Sequence, residues 1–311
     1  MGKFKEIDLK NLKKYSVLDR PSKVHITDFA NAEKTLFVSM PDILAAKDIK
    51  ELTDKCVKAY EKGKPVFLAL GGHVIKCGLA PFIISLMELG LIKGLIANGS
   101  VVIHDFEIAM FGKTSEDVAS ALEDGSFGMA TETCDTINEI IAQAYEDELG
   151  FGEAVGKYLL ENHAANQKLS LLASAYRMNI PFTIHVAIGT DIVHQHESAD
   201  GAAIGACTLK DFRILCNQFI NLDDGGVFVN FGSAVVIPEV FLKAITVVRN
   251  LGFPLNNFYT AVFDMNLHYR PITNIVNRPT LSGGKGYYFV GHHEIMLPLF
   301  YNLLLEKLKN A

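Results

Sequence analysis

Three stretches gather ionisable side chains at the ends of apolar runs, and their residue types define the chemistry open to them. Ala97-Asn98-Gly99-Ser100 leads through Val101-Val102-Ile103 into His104, Asp105 and Glu107. Carboxylates beside an imidazole can do general acid and base work or hold a cation. The plainer reading is a helix start at which Asp105 caps free amides. Gly189-Thr190-Asp191 opens a segment that adds His194, His196 and Asp200. On a strand, His-x-His spacing puts both rings on one face, a geometry that can ligate a divalent metal. Gly291-His292-His293-Glu294 supplies further imidazoles, so the metal candidates are His194, His196, His292 and His293; otherwise these rings bind substrate or cofactor, or His292 and His293 cap the helix that follows.

Other stretches offer binding groups. Gly71-Gly72-His73 follows Leu68-Ala69-Leu70, where two glycines let a backbone approach a phosphate or simply make a tight turn. His73 then contacts a ligand or caps the helix. Thr260, Asp264, His268, Tyr269 and Arg270 lie along one run, and Arg270 and Arg278 have the fork geometry that clamps a carboxylate or phosphate. Gly283-Gly284-Lys285-Gly286 reads as a connecting turn.

The elements that must position these groups alternate. Strand-length apolar runs fall at 65–70, 94–103, 182–187, 226–231, 257–263 and 286–290, the pattern of parallel strands buried on both faces. Amphipathic stretches at 43–62, 78–92, 115–123, 135–149, 152–177, 208–221, 238–251 and 294–309 separate them. The expected fold is α/β with a mostly parallel, doubly wound sheet. Residues 1–40 read as an N-terminal arm, 41–311 as one domain, and 115–177 as a helical insert standing apart from the sheet. In open parallel sheets, ligands bind outside the carboxyl ends of the strands, and the polar clusters above all fall there.

Composition removes several function classes. A formal charge of −6 offers no basic footprint for nucleic acid. No run of about 18 apolar residues occurs without a charge or turn signal, which argues against a membrane span. The five cysteines are scattered without a CxxC pair, as expected of a cytoplasmic protein.

The order of these segments resembles deoxyhypusine synthase through most of residues 65–300. The similarity is carried by Leu70-Gly71-Gly72-His73, by Ala97-Asn98-Gly99-Ser100 before His104-Asp105-Phe106-Glu107, and most clearly by the stretch from Asn179-Ile180-Pro181 through Thr190-Asp191 to Asp211-Phe212-Arg213. The resemblance implies a Rossmann-like NAD-binding fold, with Gly71, Gly72, Asn98, Gly99, Thr190, Asp191 and Thr260 toward the cofactor. It places Asp105, Glu239, Asp264 and Arg270 toward a small, amine-bearing substrate. It also implies a homo-oligomer, tetramer or dimer. The family's Gly-Gly-Gly-Val-x-Lys-His-His motif falls on Gly232-Ser233-Ala234-Val235-Val236-Ile237-Pro238-Glu239. Ile237 takes the lysine position, so the resemblance is to a divergent member without the lysine imine. Lys76, Lys243 and Lys285 are the lysines that could replace it. Proton transfer then falls to His104, Glu107, His194, His196, His292 and His293. The competing readings are a metal-dependent hydrolase and a non-catalytic nucleotide-binding relative.

Overall fold

A computed structural model describes residues 9–26 and 43–310. In chain order, the elements begin with β1 (Ser22–His25), α1 (Leu44–Glu61), β2 (Val66–Leu70), α2 (Gly72–Lys76), α3 (Ala80–Glu88) and β3 (Ile92–Asn98). There follow α4 (Gly99–Phe111), β4 (Lys113–Glu116), α5 (Val118–Glu123), α6 (Thr131–Glu146), α7 (Phe151–Glu161), α8 (Leu171–Arg177) and β5 (Phe182–His185). The remainder is α9 (Gly201–Phe219), β6 (Val227–Phe231), α10 (Val236–Asn250), β7 (Phe258–Asp264), α11 (Tyr269–Pro271), β8 (Gly284–Val290) and α12 (His293–Asn310).

Six strands form one parallel sheet in the order β5-β3-β2-β6-β7-β8. The chain winds outward from β2 in one direction and then from β6 in the other. β2 and β6 are neighbours, with Leu70 beside Phe231, so the order reverses between them. This is the doubly wound arrangement, and the reversal leaves a crevice outside the carboxyl ends of β2 and β6.

Strand side chains alternate between two apolar layers, as a period of two requires. Val66, Leu68, Leu70, Val227, Val229, Phe231, Ala261 and Phe263 face a layer that includes α1, α3, α4, α8 and α12. Phe67, Ala69, Ile96, Phe228, Phe258 and Val262 face α9 and α10. The edge strand β5 is blunted by α9. Asp211 accepts the amides of Ile184 and Gly152, and Thr208 accepts from Val186 N–H while donating to Ile184 C=O. Unpaired edge groups are thereby satisfied without another strand.

Three expectations change. Val101-Val102-Ile103 lies in α4 and not in a strand, because that helix is buried on nearly every side and needs apolar residues all round. The stretch 152–177 is two helices, α7 and α8, with a short 3-10 turn between them. Helices α6, α7 and α8 of 115–177 do not stand apart: Ile137, Ile141, Val155, Leu159, Leu171 and Leu172 share the core that covers β2 and β3.

The arm is described at residues 9–26; the rest of the 1–40 segment lies outside the described residues. Its β1 pairs antiparallel with β4, Tyr15 bridges to Ala130, and Val17 and Arg20 are buried. Among the described residues, no helix is long and apolar enough to cross a membrane.

Candidate functional site

At the carboxyl edge of β2 and β3 lies a cavity of about 180 Å³, lined by Arg20, Lys76, Ser100, His104, Glu107 and Asp191 with several apolar neighbours. Helix α4 forms its floor. Asn98 is extended, α4 begins at Gly99, and Gly112 ends it at φ 68°, a left-handed conformation that favours glycine. His104 and Glu107 are three residues apart and share one face of the helix.

That face meets the arm and β4. Arg20 Nη2 donates to Glu107 Oε2 at 2.8 Å, and Arg20 Nη1 lies 3.6 Å from Glu116 Oε1. All three side chains are nearly fully buried, so each charge depends on the others. Thr133 donates to Glu107 Oε1 at 2.9 Å, and the Thr114 hydroxyl donates to Glu107 Oε2. Because that hydroxyl proton is committed to the carboxylate, the 2.8 Å contact between His104 Nδ1 and Thr114 Oγ1 runs from ring to hydroxyl. Nδ1 therefore carries the proton, and Nε2 keeps its lone pair. Burial, followed by the charges of Lys76 and Arg20 and by His73, lowers the His104 pKa to about 3. The ring is neutral at ordinary pH.

The sign of that shift gives a measurable consequence. An unfolded chain protonates His104 near its ordinary pKa of about 6.5, whereas the folded chain waits until about pH 3. Stability held above pH 6.5 is lost as pH falls towards 3. Wild type should lose up to about 2 kcal/mol relative to His104→Gln between pH 7 and pH 5, read by urea unfolding at each pH. Parallel curves for the two proteins would refute it.

Asp191 forms the opposite wall. Burial raises its pKa to about 6. A methyl group at Gly99 would lie 2.1 Å from Asp191 Oδ2, so the missing side chain lets this carboxylate reach the start of α4. Asp191 and His194 also form a reciprocal cap: the carboxylate accepts His194 N–H, and His194 Nδ1 accepts the amides of Asp191 and Gly189. His194 Nε2 thus bears the proton, and it is buried without a partner.

Several expected site residues do other work. Asp105 points away from the cavity, because one residue turns a helix by about 100°. It is fully buried and accepts Ser170 O–H and the amides of Leu171 and Leu172, holding the start of α8. Thr260 lies in the middle of β7, not at its end, and donates to Ile275 C=O in the core. His194 and His196 are not on a strand. His196 is buried between two acceptors, Gly128 C=O and Asp135, which leaves no ring nitrogen for a metal. The set His194, His196, His292 and His293 is therefore not brought together.

Glu239, half-buried, and Arg270, exposed, pair with each other at 2.8 Å, with Lys243 and Asn274 also on Glu239. Asp264 ends β7, buried, with His268 3.4 Å away. His292 is exposed, and His293 is buried behind it with Nδ1 unpartnered. Thr190 lines the cavity and donates to Ala187 C=O; Asn98 Oδ1 accepts from Ser100 O–H. Ile237, in the first turn of α10, is fully buried in the core, so a side chain at that position is not presented to the crevice. Lys243 is held by Glu239, and Lys285 by Asp48 and Glu51; Lys76 alone of the three lines the cavity.

The glycines proposed for phosphate are used for packing. A Cβ on Gly71 would lie 2.6 Å from Gly232 C=O, and one on Gly72 would lie 2.6 Å from Ser100 Oγ. They join the ends of β2 and β6 and seat α2 on α4. Groups that want a ligand are found elsewhere at the carboxyl edge: Asn230 Oδ1 near the end of β6, His194 Nε2 and His293 Nδ1 are buried polar atoms without partners. Arg20 and Thr114 carried no sequence signal, since their roles depend on a partner 87 residues away in one case and 7 in the other.

No family model matches the chain, and no curated protein matches it in sequence. In three dimensions it is similar to a putative deoxyhypusine synthase from Entamoeba histolytica, with a TM-score of 0.51 and 10% identity, covering 84% of this chain and 88% of that one. The fold is deoxyhypusine synthase-like. Unliganded AgrE is also similar, with a TM-score of 0.53 and 16% identity over 89% of this chain. The chain spans about a third of the length of AgrE and of ArgZ, an arginine dihydrolase from the ornithine-ammonia cycle in cyanobacteria.

Proposed function

We propose that the protein is an NAD-binding enzyme of deoxyhypusine synthase-like fold that acts on a small, amine-bearing substrate without a lysine imine. One observation carries this reading: the His104–Thr114–Glu107–Arg20 chain ends in a neutral imidazole, its Nε2 unprotonated, that lines a cavity sized for a small molecule. Such a nitrogen is oriented before substrate arrives and can accept a proton from a bound amine or hydroxyl. Asp191 on the opposite wall is a carboxylate above about pH 6 and suits an ammonium group, while Lys76 suits an acid group on the same molecule.

The cofactor assignment is supported by the strand-order reversal between β2 and β6 and by the unpartnered polar atoms of Asn230 and His194 at that edge. These side chains, with Thr190, are the ones that would hold NAD, which leaves Asp191 to the substrate's ammonium group. When bound, NAD supplies a hydride acceptor. AgrE has been captured with ornithine and NAD+, which makes that pair the first probes to try. The same reading includes assembly as a homo-oligomer, checked by sedimentation.

Calorimetry with NAD+ and NADH at millimolar concentration tests the proposal. Binding is expected, and its absence for both nucleotides would sink the reading. Asp191→Asn should then weaken ornithine binding to the NAD+-loaded protein by about 10- to 100-fold, the value of one charge-assisted hydrogen bond.

A further inference from the structure

The crevice has a second cluster, between α2 and the start of α12. Cys77 ends α2 one helical turn after His73, so the two side chains lie on the same face. The start of α12 brings Glu294 to them, and the His73, Cys77 and Glu294 donor atoms all lie within 4.8 Å of one another. Cys77 Sγ is 3.7 Å from Glu294 Oε2. In a tetrahedral zinc site with ordinary bond lengths, a sulfur and a lighter ligand atom stand about 3.5 Å apart, so this edge already has the right length.

Nearby groups add to the same picture. His292 Nδ1 lies 3.9 Å from Glu294 Oε1, and the His293 ring is 5.8 Å from that of His73. His293 is 1% exposed and its Nδ1 has no partner, a buried imidazole beside a cluster of donors. Cys77 differs from Cys56, Cys134, Cys207 and Cys216, which are buried, in being partly exposed. Among the described residues, no other group of three such side chains has metal-binding spacing.

We infer that His73, Cys77 and Glu294 form a binding site for a zinc-class divalent cation, with the fourth position open to water or substrate at the mouth of the crevice. The donor set selects the metal. A thiolate with an imidazole favours zinc or cobalt over magnesium or calcium, which take oxygen ligands. Three protein ligands with an open position is the arrangement of sites that bind a reacting molecule, in contrast to closed structural sites. The site is formed by α2 and the start of α12.

The full chain, stripped with chelator and titrated with zinc(II) and then cobalt(II), tests this without NAD or turnover. One equivalent should bind, and the cobalt form should show thiolate-to-cobalt charge transfer with the visible bands of four-coordinate cobalt. Cys77→Ser should abolish the charge-transfer band. Each of His73→Asn, Cys77→Ser and Glu294→Gln should lower affinity by at least roughly 100-fold, beyond what loss of an outer-sphere partner costs. In wild type, zinc should protect Cys77 from alkylation, read by peptide mass, which keeps the test valid if a variant misfolds. No binding by wild type, or binding without the thiolate band and without protection of Cys77, overturns the assignment. NAD calorimetry is a separate measurement, so either reading can fail alone.

Discussion

Arg20→Ala should destabilise the protein by about 3–5 kcal/mol, the usual cost of removing one partner from a buried ion pair. The variant leaves Glu107 and Glu116 without their cation at positions that are 1% and 7% exposed. Tyr15 still donates to Glu116, and Lys14 and Ser16 still tie the arm to Asp135 and Glu132, so the loss comes from the two stranded carboxylates. Urea unfolding with an unchanged m-value measures the loss. Substituting Arg20→Met together with Glu107→Gln removes both charges of the closest pair and should recover the share of the loss that comes from Glu107, because an uncompensated charge costs more than a neutral pair, while Glu116 still lacks its cation. A loss below about 1 kcal/mol for Arg20→Ala would mean the arm is not an integral part of the cavity wall.

Asp105→Ala should cost a similar amount, about 3–5 kcal/mol, for a different reason. Three donors at the start of α8 lose their acceptor in a region water cannot reach, and each stranded donor costs about 1–3 kcal/mol. Asp105→Asn retains one acceptor oxygen and should fall between wild type and alanine. Burial raises the Asp105 pKa to about 6 despite these bonds. A folded pKa above the unfolded one means the native state takes up the proton first. Wild type should therefore gain stability relative to Asp105→Asn as pH falls through about 6 towards 4, opposite in sign to the His104 effect. A flat difference across that range would contradict the buried, ionisable role. Unfolding followed by both far-UV dichroism and tyrosine fluorescence shows whether α8 separates before the rest.

The arm shows why the site was only half legible. His104 and Glu107 stand out as polar residues after an apolar run, and both line the cavity. Their neighbour Asp105 has the same sequence signature and a structural role, because direction around the α4 axis cannot be read without knowing which face meets the arm. Arg20 lies in a lysine-rich, non-periodic segment that gives no sign of burial. His-x-His spacing pairs His194 and His196 only if the segment is a strand. A 3-10 turn separates their directions, and one becomes a cap while the other bridges Gly128 and Asp135.

What the amino-acid order alone determined is the grammar of the fold. Apolar runs of strand length alternate with amphipathic helices, glycines mark the strand ends, and isoleucine stands at position 237. These are readable because burial on both faces of a parallel strand and the 3.6-residue helical repeat are properties of adjacent residues. Tertiary structure decided which polar groups meet. The Arg20–Glu107 pair spans 87 residues, the Cys77–Glu294 contact spans 217, and both depend on how the chain reverses across β2 and β6. A contact of that kind stabilises through burial and geometry, which appear only once the sheet has assembled.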